Sequence, residues 1–449
     1  MMRRLSSFFT ARWLVAALLS CASALPCWAA KPAAAEPSPS GSAAGLLDVE
    51  AAVALALGRN PVATAARSAA QGAEAMARSS SLINAPSLKW SADRDRVTSE
   101  SPQPATRNKL ALAWAPPQWG ERDLRQNQLR STGEQYGHLA EQTQQQIAAD
   151  VRRSYANLAM LEDMLEASEQ ARRVSTQRET LAAQQLQRGR KTRQELLDLK
   201  LAHQEIDQQH QALLLQQSQS RSRLLTLMGR GLQEPLTVQR SANPFGVAGS
   251  ALEGVDLIAT ALQQRPELKA VHARCAAIAA DSQIKQLDNG RWLKSVEMNY
   301  TAQQTGKPAN WGVTLEINLP TAGSRNGNDV ALQSAMAVCR AQAEELDGAV
   351  RLEVEQARQQ LAAATIEADR QVRELAPVHQ SSVTLARASR QLGRNDATDV
   401  LGAELAQTRA RISALQRLHE VVLAELALRQ AVGLSVQASP GSSGSSVRH

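Results

Sequence analysis

The sequence GRKTRQELL, residues 189–197, recurs 204 residues later as GRNDATDVL, residues 393–401. Glycine opens both copies, and a reversal between two long antiparallel helices needs a residue that adopts positive φ without strain. Three other pairs of landmarks recur in the same order at shifts of 204 or 205: Asn60-Pro61 with Arg265-Pro266, Ala115-Pro116 with Leu319-Pro320, and Gly229 with Gly433. Four matched landmarks in one order predict that one folding unit is duplicated.

The duplication divides the chain into a first structural repeat, 46–240, and a second, 254–434, joined by a linker at 241–253. Hydrophobic periodicity predicts the same series of elements in each repeat: helix, strand, strand, very long helix, helix. The predicted helices are 47–85, 121–187 and 193–228 in the first repeat, and 254–288, 327–391 and 397–433 in the second. The predicted strands are about 87–97 and 107–115, then about 293–303 and 310–319.

The predicted helix 121–187 is about 100 Å long at 1.5 Å per residue, which is deeper than an ordinary globular core. Two of the shorter helices laid end to end would match this length. The pattern therefore favours a continuous long helix beside two short ones in series, repeated twice. A generic long coiled coil is the alternative, and the strands favour the first interpretation.

The segment 310–319 alternates between an apolar and a polar face. Its apolar face carries Trp311, Val313, Leu315, Ile317 and Leu319. About ten residues with one apolar and one polar face is the length and pattern of a strand in an outer-membrane barrel. Four strands per chain cannot close a barrel, and an open edge in lipid leaves backbone groups unpaired, so the chain is expected to oligomerise. A half-buried sheet in a soluble domain is the alternative for the strands alone.

The landmarks, taken in order, resemble the TolC-type outer-membrane efflux protein family, the outer membrane factors of tripartite efflux pumps, over residues 46–434. The resemblance implies a mainly α chain with a small β part. It implies a homotrimer in which twelve strands form a β-barrel in outer-membrane lipid, continued by an α-helical tunnel in the periplasm. It also implies that the two glycine turns form a periplasmic tip, where a membrane-fusion adaptor and an inner-membrane pump dock.

The tip pattern of this family is glycine, five residues, an acid and two apolar residues. The residues that carry it here are Gly189, Glu195, Leu196 and Leu197 in the first copy, and Gly393, Asp399, Val400 and Leu401 in the second. The resemblance makes Asp399 a candidate for a ring of acids at a tunnel constriction. A helix N-terminal acid favoured by the helix dipole is the alternative for Asp399. Arg190 and Arg394 stand at the exposed turns, suited to adaptor contact or to solubility alone.

The chain departs from the family pattern at both glycine turns. Gly402 occupies the position where a second acid can follow, and Lys191 and Asn395 occupy the positions where an arginine can stand. The salt-bridge network that closes the tip in the family is therefore not expected in the same form.

The first thirty residues, 1–30, are predicted to be a secretory signal peptide, since three arginines accompany an apolar stretch that ends in small residues. Cleavage after Ala29 or Ala30 is favoured. The tetrapeptide LLSC ending at Cys21 resembles a lipoprotein box, which leaves lipidation of Cys21 open. The predicted flexible segments are a leader at 31–45 and a disordered tail at 435–449.

Composition and motifs exclude several function classes. The net charge is +7, and three of the arginines lie in the signal segment, so the basic bias is too small to predict nucleic-acid binding. The sequence has no phosphate-loop, dinucleotide-binding or metal motif of standard spacing, and it predicts no cofactor and no enzyme. His203, Asp207 and His210 share one helical face, where a solvated flank is favoured over a metal site.

Two cysteines lie beyond the signal segment, Cys275 and Cys339, one before and one after the second strand pair. Neighbouring helices would place them at similar heights, and an oxidising compartment would permit a bond. Two unpaired small core residues are the favoured interpretation, and the disulfide stays open.

The predicted function is a passive outer-membrane exit duct of a tripartite efflux system, which conducts small molecules or metal ions from a pump and adaptor complex. One alternative is the outer-membrane duct of a type I protein secretion system. A second, from a different class, is a periplasmic coiled-coil adaptor or scaffold without a barrel.

Overall fold

A computed structural model provides the structure. It describes residues 46–78, 85–94, 106–239, 256–303, 309–319, 322–394 and 396–434. The predicted signal peptide with Cys21, the leader, the linker and the tail lie outside the described residues.

The described residues form helices and one small sheet, in an order that repeats once along the chain. The elements of the first half are α1 (Val49–Arg59), α2 (Pro61–Arg78), β1 (Ser87–Arg94), β2 (Thr106–Trp114), α3 (Glu121–Gln187) and α4 (Arg193–Leu227). Those of the second half are α5 (Leu257–Gln264), α6 (Pro266–Gly290), β3 (Leu293–Gln303), β4 (Asn310–Ile317), α7 (Ala322–Asp369), a π-helical segment (Arg370–Leu375), α8 (Ala376–Gln391) and α9 (Ala397–Val432). The mainly α fold with four strands is confirmed.

The longest helix, α3, has 67 residues and the bounds that the sequence predicts. The region predicted as a single helix at 47–85 is instead two helices, α1 and α2. Pro61 has no N–H with which to continue α1, and its fixed φ suits the first position of a new helix. The side chain of Asn60 spans the break, accepting from the Val62 amide at 2.9 Å and donating to the Leu227 carbonyl at 3.0 Å.

The region predicted as a helix at 254–288 is likewise broken, between α5 and α6 at Arg265-Pro266. Arg265 is buried there, and its guanidinium forms an ion pair with Glu353 of α7 at 2.6 Å. The first break is therefore bridged by the amide side chain of Asn60, and the second is held by an ion pair between Arg265 and the long helix α7.

Two glycines with positive φ, Gly229 (φ 64°) and Gly433 (φ 75°), follow the last helix of each half. Gly229 packs against Arg59, and Gly433 packs against Arg265. A Cβ on Gly229 would lie 3.0 Å from the carbonyl oxygen of Arg59, and one on Gly433 would lie 3.1 Å from Cγ of Arg265. Both positive φ and close approach therefore require glycine.

Apolar packing repeats with the duplication. Equivalent positions of the two main clusters are filled by Ala56 and Ala261, by Leu224 and Leu428, and by Met228 and Val432. In the first cluster, Tyr155 of α3 is fully buried, and its hydroxyl donates to the Leu47 carbonyl at 2.7 Å. The same oxygen accepts from the Gln239 amide at 2.9 Å, so Tyr155 joins the two ends of the first half.

The four strands form one antiparallel sheet in the order β1-β2-β3-β4. A register irregularity between Leu293 and Ser295 marks the start of β3. Within the described sheet, β1 and β4 are edge strands, each paired on one side. Among the described residues, no helix combines the length and the apolar composition needed to cross a bilayer.

Cys275 of α6 and Cys339 of α7 are joined by a disulfide, with Cα atoms 5.8 Å apart. The favoured expectation of two unpaired cysteines is therefore corrected. The two helices that lead into and out of the β3–β4 pair lie side by side, which brings the cysteines within bonding distance. The bond ties these two helices together.

A buried carboxylate joins the start of α3 to the segment that precedes β3. Glu121 has no exposed surface, and it forms ion pairs with Arg291 and, at 2.7 Å, with Arg125. Burial opposes ionisation, but the Gln118 amide and the two arginines outweigh it and lower the pKa of Glu121. The carboxylate therefore stays charged and holds the sheet to the first long helix.

Candidate functional site: two helix reversals and an apolar sheet face

Two tight reversals connect the long helices to the helices that follow them. We name residues 189–197 the first tip and residues 393–401 the second tip. Gly189 has φ 71° and Gly393 has φ 70°, and a Cβ at either glycine would meet nothing within 4 Å. The glycines are thus required by backbone conformation alone, as the sequence predicted.

The helix after each tip begins with a capping box, in which two side chains satisfy two orphan amides. In the first tip the Thr192 amide donates to the Glu195 carboxylate at 2.7 Å, and the Glu195 amide donates to the Thr192 hydroxyl at 3.2 Å. In the second tip the Asp396 amide donates to Asp399 at 3.1 Å. The acids of the tip pattern, Glu195 and Asp399, therefore start helices in this chain.

The tips differ in what they leave on the surface. Arg190, Arg394 and Leu197 are exposed, and Leu196 and Leu401 are half-buried. Val400 is only 5 % exposed. Its packing lies within the chain, which does not fit the expectation that Val400 offers a docking surface.

An arginine that the sequence analysis did not single out reaches the second tip from the first long helix. Arg178 of α3 donates from Nε to the Thr398 carbonyl at 3.1 Å. Its guanidinium lies against Gly402, where a Cβ would be 3.1 Å from Nη2. Glycine at position 402 therefore leaves room for an arginine of the first long helix. One of several arginines near the end of a long helix gives no sequence signal of such a contact.

The apolar face predicted for 310–319 is present and exposed. Trp311 is 75 % exposed and Leu319 is 86 % exposed, with Val313, Leu315 and Ile317 also exposed. The register continues this face over the other strands. One row across the sheet is Trp90, Leu110, Tyr300 and Trp311, and the next row is Leu88, Leu112, Met298 and Val313. We call this surface the apolar face.

The opposite face of the sheet is polar and paired. Glu297 of β3 accepts from Lys109 of β2 at 3.1 Å and lies 4.0 Å from Lys89 of β1. Asn299 donates to the Thr314 hydroxyl at 3.2 Å. The sheet thus separates an apolar surface from a hydrated, charged one, which is the division that a membrane strand requires.

The face of α4 that carries His203, Asp207 and His210, here called the histidine stripe, contacts side chains of α3. Asp207 accepts from Arg172 at 2.7 Å, and His210 is buried beside the Ser168 hydroxyl at 3.2 Å. In the described part of the chain, no group of three metal-ligating side chains comes together. The stripe therefore packs two helices together.

No protein-family model matches the chain, and no curated protein sequence matches it. Solved structures do match. CusC, whose structures concern transmembrane channel formation, superposes with a TM-score of 0.72 at 17% identity, over 88% of this chain and 95% of that one. The outer membrane protein VceC from Vibrio cholerae superposes with a TM-score of 0.68 at 17% identity, over 86% and 96%.

The open state of the MtrE outer membrane channel from Neisseria gonorrhoeae superposes with a TM-score of 0.71 at 15% identity, over 86% of this chain and 88% of that one. These neighbours are channels and outer-membrane proteins rather than enzymes. The chain therefore has the fold of outer-membrane channel proteins, as its repeated landmarks predicted.

Proposed function

We propose that this chain is the passive outer-membrane exit duct of a tripartite efflux system, and that it conducts small molecules or metal ions delivered by a pump and adaptor complex. The observation that carries the proposal is the exposed apolar face of the sheet, set on helices of up to about 100 Å. A contiguous exposed apolar surface on four strands is expected to contact lipid or another protein.

We propose a homotrimer in which three sheets join edge to edge. The described sheet pairs β1 and β4 on one side only. An edge in hydrocarbon leaves peptide groups without partners, at a cost of several kcal/mol each. Three chains supply twelve strands, and closure of β4 of one chain onto β1 of the next satisfies both edges. The helices then continue the ring as a tunnel in the periplasm.

We propose that the two tips form the periplasmic end, where the adaptor and the inner-membrane pump dock. The exposed Arg190, Arg394 and Leu197 are available for this contact, whereas Val400 is not. In a trimer, three copies of Asp399 at the second tip would make a ring of negative charge that favours cations. The capping hydrogen bond from Asp396 uses one carboxylate oxygen and leaves the other for solvent.

The alternatives make different demands on the same surfaces. A duct for protein secretion would have the same sheet and tunnel, and only the inner-membrane partner would differ. A soluble periplasmic scaffold has no use for the apolar face, which would have to be covered by another protein.

Fractionation and electrical recording test the proposal together. The duct is expected in the outer-membrane fraction, as a trimer in detergent by mass photometry, and as a conducting pore in planar bilayers. A monomer in the periplasmic fraction that forms no pores would contradict it. Deletion of the gene for the inner-membrane pump that works with this chain distinguishes efflux from secretion. Export of small molecules and export of protein are measured separately in the deletion strain.

A further inference from the structure

An open groove of about 410 Å³ lies beside the second tip, between α3, α9 and the π-helical segment with α8. Arg178 enters it from α3, His379 from α8, and Arg409 and Ser413 from α9. Gly402, Leu405, Ala406 and Ala410 of α9 also line it. The groove is therefore bounded by two guanidinium groups and an imidazole.

The groove adjoins an irregularity that only the second half has. Pro377 stands inside the long helical region, where its ring would clash with the carbonyl of Arg373 and its nitrogen cannot donate. The six-residue π-helical segment immediately before it relieves this conflict. Arg173 occupies the equivalent position in α3, which remains α-helical throughout. The widened turn is therefore not a requirement of the duplicated fold, and such turns often lie at functional sites.

The π-helical segment turns one side chain into the protein. Gln371 is buried, and its amide nitrogen lies 3.5 Å from the Ala410 carbonyl of α9. This contact fixes the position of α9 opposite the groove, so that Arg409 and Ser413 project from a braced helix. The donors around the groove thus stand on well-packed elements rather than on loops.

The positive charge of the groove is not neutralised by its own lining. None of the residues that line it is a carboxylate, and Arg409 forms no ion pair with any described residue. Burial lowers the pKa of Arg178, Asp399 raises it, and the neighbouring charge of Arg409 lowers it further. Asp399 carries a single negative charge, so it offsets only one of the two neighbouring guanidinium charges.

We propose that this groove binds a small polyanion that carries phosphate or carboxylate groups, held by Arg178, Arg409 and the Ser413 hydroxyl. Arg178 uses Nε on the Thr398 carbonyl, and its two terminal nitrogens remain as donors. A planar guanidinium can donate two parallel hydrogen bonds to two oxygens of a phosphate or carboxylate at once. The site lies beside the second tip, and the inference does not depend on whether the chain conducts solutes.

Isothermal titration of the full chain in detergent tests the site, with pyrophosphate and citrate as separate probes at low ionic strength. We expect saturable binding at one site per chain, and a loss of about ten-fold or more in affinity for R409Q. R409K keeps the charge but not the planar fork, so its affinity should fall between those of wild type and R409Q. Comparison of the two probes distinguishes phosphate from carboxylate recognition.

The matched control is R417Q, which removes one positive charge from the same helix outside the groove. Arg417 pairs with Glu420 at 2.9 Å, and its loss should leave binding within about two-fold. Binding of neither probe by wild type, or an equal loss in R409Q and R417Q, would overturn the site. Circular dichroism and oligomeric state, measured on the same samples, separate a failed site from a failed assembly.

Discussion

The guanidinium of Arg178 and the carbonyl of Thr398 are 220 residues apart in sequence and 3.1 Å apart in space. The bond links the first long helix to the first turn of α9, so each half of the duplicated chain constrains the other at the tips. Arg178→Ala should therefore loosen the start of α9. We expect about 1 kcal/mol of local stability to be lost, and amide exchange at 398–402 to quicken about five-fold.

Hydrogen-exchange mass spectrometry measures this change. Arg178→Lys is the informative companion, since an ammonium keeps the charge but not the planar fork. The first tip, whose capping box is independent of Arg178, provides the internal reference. Equal exchange at 398–402 in wild type and Arg178→Ala would show that the bond does not hold the tip.

Val313→Arg places a charge on the apolar face. An arginine near the middle of the bilayer costs about 2–4 kcal/mol per chain, so the assembled outer-membrane form should fall sharply. Thr314→Arg puts the same side chain on the polar face, one residue away. We expect the second variant to assemble normally when detergent-resistant oligomers are quantified. Equal behaviour of the two variants would mean that lipid does not contact the apolar face.

Replacing both Cys275 and Cys339 by serine should lower stability. The two cysteines are 64 residues apart in sequence, and a disulfide typically contributes about 2–4 kcal/mol to the free energy of unfolding. Cys339 is also buried, so its replacement by serine adds a packing cost. Chemical denaturation of wild type with and without reductant measures the bond alone. Alkylation of free thiols before reduction, followed by mass spectrometry, should leave both cysteines unlabelled in the native protein.

The first tip should show a pH-dependent stability that traces to Glu195. Hydrogen bonds from the Thr192 amide and hydroxyl, helped by Lys191, lower the pKa of Glu195 from its ordinary 4.5. A depressed folded pKa means that the contribution is present above the unfolded value and is lost as pH falls through the folded one. The difference in melting temperature between wild type and Glu195→Gln should therefore shrink as the pH is lowered below about 4.5.

Glu205→Gln removes the same charge from an exposed position further along α4 and is the matched control. Its melting difference from wild type should not follow the same pH course. A constant difference between wild type and Glu195→Gln from neutral to acidic pH would contradict the capping role.

Reversing the charge at Arg190 and Arg394 tests the tips as a docking surface. The double glutamate variant should lose adaptor crosslinking and pump complementation, because both arginines are exposed at the two turns. Arg340→Glu reverses an exposed charge on α7 far from the tips and should leave both readouts unchanged. Unaltered crosslinking in the double variant would assign the arginines to solubility alone.

The elements that sequence predicted best are those fixed by local backbone chemistry. Gly189 and Gly393 signal a positive φ, and both adopt it. The predicted bounds of α3, 121–187, agree with the structure, where glycines with positive φ, Gly120 and Gly189, flank the helix. Strand alternation likewise located the apolar face, because a period of two is readable without tertiary information.

The features that the sequence analysis missed or predicted wrongly are of two kinds. Some depend on tertiary contacts, and one had a local sequence signal that was not used. The helix predicted at 327–391 is interrupted by the π-helical segment. Pro377, which lies two residues after that segment, was a local signal of the interruption. The Cys275–Cys339 bond depends on the lateral packing of α6 and α7, which spacing alone does not fix. The Arg178 contact joins two halves of the chain, and nothing in either local sequence encodes it.

The disulfide also breaks the likeness of the two halves. The positions that correspond to Cys275 and Cys339 in the first half are Ala70 and Gln135, which cannot be cross-linked. When the molecule is pulled apart or heated, α2 is therefore free to peel from α3, while α6 stays tethered to α7. Mechanical failure of the chain should begin in its first half, where the equivalent helices are not cross-linked, and arrest at the covalent bridge.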